Sequence, residues 1–293
     1  MHKNYWVGYL LIAPAFLILF LVIFYPMIVT TDMSFQQILL MKPNADKLYI
    51  GIDNYIAIIS NKVFSNAVIN TAIWIMVNLV AQILIGLGLA LLLNEKIFLR
   101  SFFRGALLIP WAIPSIVAVL SWRWMYDAQF GIINDLLIRA GILEKGIAWL
   151  GNTSTAMLAV LMESIWKGTP FVMVMILAGL QAVPDELYDA AKVDGAGSLK
   201  SLQHITLPLI KPTVILAVTL TTIYTFNNFN SIWLMTEGGP LRSTETLTIL
   251  VYTRAFRDFN LGEAAAIGVI ILLIQLFFVR FFGKNYMRSQ LQR

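Results

Sequence analysis

Residues 224–230 of this 293-residue sequence, Tyr-Thr-Phe-Asn-Asn-Phe-Asn, set three amides and three aromatic rings inside an otherwise apolar run. An amide that faces lipid leaves its donors and acceptors unsatisfied, so these side chains must face protein or water. Two chemistries fit. The amides can bond neighbouring helices, or they can line a path for a polyhydroxylic ligand, which offers hydroxyls to amides and a C–H face to rings. On a helix Tyr224 and Asn228 stand one turn apart and share a face.

Glu163 and Lys167 are charged groups near the bilayer region, spaced i, i+4 in a second apolar run. An intramembrane charge is costly to keep and therefore asks for a role. Either the two neutralise each other near the outer interface, or Lys167 meets an acidic or phosphorylated ligand. Catalysis has no candidate group: no paired aspartates, no Ser with a basic partner and no His cluster stand at one depth. With no cysteine in the sequence, disulfides, thiolate chemistry and Cys-based metal sites are excluded. His2 and His204 lack metal-ligand spacing, so no metal site is expected. The sequence contains no G-x-x-x-x-G-K-[ST] phosphate loop, so hydrolysis of ATP by that chemistry must lie elsewhere.

These groups need a bilayer scaffold to hold them. At 59% hydrophobic and 13% charged residues the chain is too apolar for a water-facing surface. Six spans are expected at about 8–30, 66–93, 105–126, 155–180, 212–235 and 262–282, each long enough for roughly 30 Å of hydrocarbon. The first is too long for a cleaved signal and reads as an anchor. A sequence pI near 9.4 does not point to nucleic acid, because the basic residues sit in short loops beside spans. Placing both termini and the loops 94–104 and 181–211 in the cytoplasm collects Lys3, Lys96, Arg100, Arg104, Lys192, Lys200, Lys211, Lys284, Arg288 and Arg293 there. Lys42, Lys47, Lys62, Arg139, Lys145, Arg242, Arg254 and Arg257 fall in the longer outer loops. One membrane domain covering residues 1–293 is expected. Pro110 and Pro114 predict a kink in the third span, and Trp122, Trp124 and Tyr126 an interfacial belt at its end.

The loop 181–211 carries signals for two short helices. Pro184, Asp185 and Glu186 suit a first turn, and Gly195 suits a stop. Leu187, Ala190 and Ala191 then share a face. Ser198 reads as the N-cap of a second piece that Pro208 ends. A helix of about ten residues is marginal alone in water and has to dock on its own bundle or on a partner.

Asp189-Ala-Ala-x-x-Asp-Gly-Ala196, followed by Ile205-x-Leu-Pro208 and Pro212, resembles the EAA loop of the permease subunits of ATP-binding-cassette (ABC) importers. Leu10–Pro26, Gly51-Ile-Asp-Asn-Tyr55, Asn70-Thr71, Arg100 to Trp111, Gly131-Ile-Ile-Asn134, Trp149-Leu150 and Thr236-Glu-Gly-Gly-Pro240 are similar to the carbohydrate-uptake branch. Within it the chain resembles the larger permease subunit of the maltose importer and the glycerol-phosphate importer permease. Asp189 stands where that family usually has Glu, and Leu202 where Phe is common.

The resemblance implies an all-α membrane protein of six transmembrane helices, a type I ABC importer permease bundle with a cytoplasmic coupling helix. Glu186, Asp189, Ala190, Ala191, Asp194 and Gly195 would engage the ATPase. Ser164, Gly168, Phe171, Tyr224, Thr225 and Asn228 would contact a sugar, oligosaccharide or related polyol. Implied partners are a second homologous permease, two ATP-binding-cassette subunits that bind ATP and Mg, an extracytoplasmic solute-binding protein and the bilayer of a bacterial or archaeal inner membrane. No cofactor is expected in this chain. The rival class, an ion-gradient-driven secondary transporter or channel, would need acidic coupling residues between spans, and only Glu163 qualifies.

Overall fold

The computed structural model describes residues 5–39, 41, 48–95 and 97–291. His2, Lys3, Lys42, Lys47, Lys96 and Arg293, counted above, lie outside them. Packing divides the chain into two compact units, Met1–Ser65 with Leu250–Ile274, and Asn66–Ile249 with Gln275–Arg293. Among the described residues five helices are long and apolar enough to cross a membrane: Tyr9–Met33, Lys62–Asn94, Ala156–Gln181, Ser198–Thr236 and Leu261–Lys284. A sixth is the broken pair Arg100–Ala112 and Ser115–Met125.

In the first unit, Gln36–Gln37 and Leu48–Tyr49 form a two-stranded antiparallel ribbon after the first span. The Gly51-Ile-Asp-Asn-Tyr55 segment clamps it. Gly51 takes a left-handed φ of +62° that a side chain would strain. Asn54 Nδ2 then donates to the carbonyls of Ser34 and Gln36 at 2.8 and 2.9 Å, and Ser34 Oγ lies 2.6 Å from Tyr55 Oη.

In the second unit, Ala90, Leu93, Val172, Met173, Ile176, Leu177, Leu180, Val183 and Ile210 form a buried apolar cluster. Gly86 makes the close approach possible: a Cβ there would lie 2.8 Å from Val172 Cγ1 and 3.1 Å from the Met173 backbone nitrogen.

The third span does more than kink. Ile113 is extended (ψ 134°) and the two halves meet at 91°. Steric conflict with the Pro114 ring drives the preceding residue out of the helical region, which accounts for the break at this position. Tyr126 is buried at 2% exposure and donates to the Ala159 carbonyl at 3.0 Å, so it belongs to the bundle and not to an interfacial belt.

The fifth span also departs from expectation at both ends. The helix Ser198–Ser201 runs through a π-turn, Leu202–Thr206, straight into Leu207–Phe226. Pro208 therefore lies within one continuous helical run instead of ending it, just after a π-turn in which the Leu207 N–H donates to the Leu202 carbonyl. Gly197, not Ser198, holds the N-cap position. At the other end the helix stops at Phe226 and resumes at Asn230. The amides themselves interrupt it: Asn227 Nδ2 bonds the Ile223 carbonyl at 2.9 Å, while Asn228 Oδ1 accepts from the Ser231 amide at 3.2 Å. Asn side chains compete in this way for backbone groups the helix would otherwise use.

Candidate functional site

The two breaks and two intact helices of the second unit line an open cavity of about 580 Å³. Gln82 enters from Lys62–Asn94, Trp111 to Ser115 from the third-span break, Ser164, Lys167, Gly168 and Phe171 from Ala156–Gln181, and Thr221 to Ser231 from the fifth span. All six residues expected to contact substrate, Ser164, Gly168, Phe171, Tyr224, Thr225 and Asn228, line this one space. Asn228 reaches it from the turn after Phe226, not from a shared helical face with Tyr224.

Three rings form a rail along the lining. Trp111 stacks on Phe171 with centroids 6.2 Å apart at 25°, and Phe171 meets Tyr224 edge-on at 5.7 Å and 75°. Such a surface takes the C–H face of a pyranose, while the amides and hydroxyls around it take its hydroxyls. Trp111, Gln82, Thr221 and Ser231 were absent from the sequence-derived set. Gln82 carries a signal of its own, because Asn70, Asn78 and Gln82 set amides along a run free of charged residues.

Glu163 and Lys167 do not pair. Glu163 is fully buried, and among the described residues neither carboxyl oxygen has a hydrogen-bond partner. Lys167 Nζ turns instead to the Ile113 carbonyl at 2.6 Å and the Pro110 carbonyl at 3.3 Å. Among the described residues the lining thus carries one cation, Lys167, and no anion. Gly168 does not leave room for a ligand alone, because a Cβ there would come within 2.5 Å of Gln82 Oε1.

The short helix expected at the loop is Asp185–Val193, with Asp185 and Glu186 in its first turn and Pro184 as N-cap. Gly195 has φ +74°, Gly195 N donates to the Lys192 carbonyl at 3.1 Å, and Ala196 N donates to the Ala191 carbonyl at 2.8 Å. This paired closure needs a left-handed residue just past the helix, which is what the Asp-Gly-Ala sequence supplies. Glu186, Asp189, Ala190, Asp194 and Gly195 are exposed, whereas Ala191 is buried. Asp189 pairs with Lys192 at 3.0 Å in the open. Tyr188 Oη lies 3.0 Å from Thr206 Oγ1 and joins the short helix to the π-turn that leads into the fifth span.

The model of a protein family described as "binding-protein-dependent transport system inner membrane component" matches residues 82–289. The trehalose/maltose transport system permease MalF of Thermococcus litoralis is 34% identical, with 92% of this chain and 90% of that protein covered. The sulfoquinovosyl glycerol transport system permease SmoG of Agrobacterium fabrum is 36% identical over 91% and 86%. Among solved structures, a bacterial ABC transporter involved in import of the acidic polysaccharide alginate contains a chain that superposes with a TM-score of 0.84. That likeness covers 98% of this chain and 96% of the other at 21% identity.

Proposed function

This chain belongs to the family of binding-protein-dependent transport system inner membrane components, and from that premise we propose that it is the permease of an ATP-driven importer for a sugar, oligosaccharide or related polyol. The observation that carries the substrate class is the cavity with its Trp111–Phe171–Tyr224 rail set among amides and hydroxyls. Support also comes from the relatives, whose names specify trehalose or maltose in one case and sulfoquinovosyl glycerol in the other.

In this reading Ser164, Gly168, Phe171, Tyr224, Thr225 and Asn228 contact the sugar, and both termini lie in the cytoplasm. A second permease completes the path, a solute-binding protein delivers substrate outside, and two ATPase subunits bind ATP and Mg inside. Glu186, Asp189, Ala190, Ala191, Asp194 and Gly195 present the short helix to the ATPase. Closure of that motor would push Asp185–Val193. The Tyr188–Thr206 contact would pass the displacement to the fifth span, whose far end holds Tyr224 and Thr225. The cavity would then open to one side of the membrane at a time, with ATP biasing the two states.

Uptake of labelled trehalose, maltose and a digalacturonate into vesicles carrying the assembled complex tests this reading. Uptake of at least one sugar that requires both ATP and the binding protein is expected. Uptake driven by an ion gradient without ATP would defeat it.

A further inference from the structure

A polar relay along one face of the Lys62–Asn94 helix ends in the cavity. Trp74, Asn78 and Gln82 stand four residues apart, so each side chain reaches the next turn. Backbone carbonyls set the polarity of this relay at both ends. Asn78 Nδ2 donates to the Trp74 carbonyl at 2.9 Å. A carbonyl only accepts, so the Asn78 nitrogen must face it and Oδ1 must face away. Gln82 then has one arrangement that satisfies both neighbours: Nε2 donates to Asn78 Oδ1 at 3.0 Å and to the Ser164 carbonyl at 3.3 Å.

Both amide protons of Gln82 are thereby used. Its Oε1, with two lone pairs, has no donor among the described residues. That oxygen is not sealed in protein, unlike the unpartnered oxygens of Glu163 and Thr221, and Gln82 lines the cavity. Gly168 presses on the carboxamide from one side, where even a methyl would lie 2.5 Å from Oε1 and 2.6 Å from Nε2. The group is thus held in place and held the same way round.

We propose that Gln82 is a specificity-determining residue: its Oε1 accepts a hydrogen bond from one sugar hydroxyl, and the Trp74–Asn78–Gln82–Ser164 relay stops the amide from turning over to offer its donors. The inference rests on the sugar reading of the cavity. It requires a hydroxyl at that position of the ligand. An ether, ketone or carboxylate there would set acceptor against acceptor and be rejected.

The test uses the assembled transporter in vesicles, with trehalose, maltose and a digalacturonate as probes, and monodeoxy analogues of whichever is carried. Gln82→Met keeps length and removes the acceptor. Its KM for the parent sugar should rise about tenfold, the loss of one buried hydrogen bond. For one monodeoxy analogue, wild type and Gln82→Met should share the same KM. Asn78→Leu leaves the lining intact and frees the amide to turn, so it should narrow the discrimination between parent and that analogue even if Gln82→Met assembles poorly. An unchanged KM, or an equal penalty for the parent and every analogue, overturns this proposal alone. Failure of the unsubstituted transporter to carry any probe overturns the sugar reading and this inference with it.

Discussion

Lys167 Nζ donates to the Ile113 carbonyl at 2.6 Å, across the break of the third span. In an unbroken helix the Pro110 carbonyl would accept from residue 114, but Pro114 has no N–H to give. Lys167 supplies the missing donor to Pro110 as well, at 3.3 Å. Two of its three protons therefore hold the 91° bend that shapes one wall of the cavity.

Replacing Lys167 by Met should leave both carbonyls unpaired and destabilise the assembled complex by about 2 kcal/mol, the scale of hydrogen bonds to a charged group. Thermal inactivation measures that. Uptake of neutral and uronate sugars should fall in equal proportion, and a loss confined to the uronate would show that the ammonium serves the ligand instead.

Two glycines on one helix should respond oppositely. Gly86→Ala drives a methyl to 2.8 Å from Val172 Cγ1 and 3.1 Å from backbone, so it should destabilise by about 1–3 kcal/mol through overpacking. Gly88→Ala meets nothing within 4 Å and should be neutral or stabilising by up to about 1 kcal/mol. Unfolding of the two variants side by side checks the packing of this helix on Ala156–Gln181.

Tyr188→Phe keeps the ring and deletes the 3.0 Å contact with Thr206. Sugar binding should stay normal while the ATP hydrolysed per sugar imported rises, because the link from short helix to fifth span is loosened. Gly195→Ala should add about 1–2 kcal/mol of left-handed strain and produce the same uncoupling. Unaltered ATP-to-sugar stoichiometry in both variants would remove this path.

The Asp127 carboxylate accepts from the amides of Phe130 and Gln129 at 2.8 and 2.9 Å, which holds its pKa below the ordinary value. A depressed folded pKa contributes stability that is complete above the unfolded value of about 3.9 and is lost as pH falls through the folded value. The stability difference between wild type and Asp127→Ala should accordingly be flat from pH 8 to about pH 5 and shrink below about pH 4. Unfolding midpoints of both proteins across that range give the answer.

Local signals made the short helix Asp185–Val193 and the third-span bend readable, because Pro184, Gly195 and Pro114 act on their own backbone. The cavity was half readable. Ser164, Gly168 and Phe171 repeat at helical spacing, whereas Gln82 and Trp111 arrive from other helices and nothing near them in sequence announces the meeting. The Glu163–Lys167 spacing suggested a pair, yet the partners of Lys167 are carbonyls 54 and 57 positions away. Likewise the spacing of Tyr224 and Asn228 fits a helix, and it cannot reveal that Asn227 and Asn228 spend their amides on ending that helix.

The mechanical claim is that the Asp185–Val193 helix seats in a nucleotide-driven partner. The sequence has no cysteine, so Val193→Cys, at a position 88% exposed, takes a single photo-cross-linker on the purified complex. An adduct with a subunit that bears a G-x-x-x-x-G-K-[ST] loop, with a yield that changes on adding ATP, is expected. Adducts with lipid or with this chain alone would contradict the account.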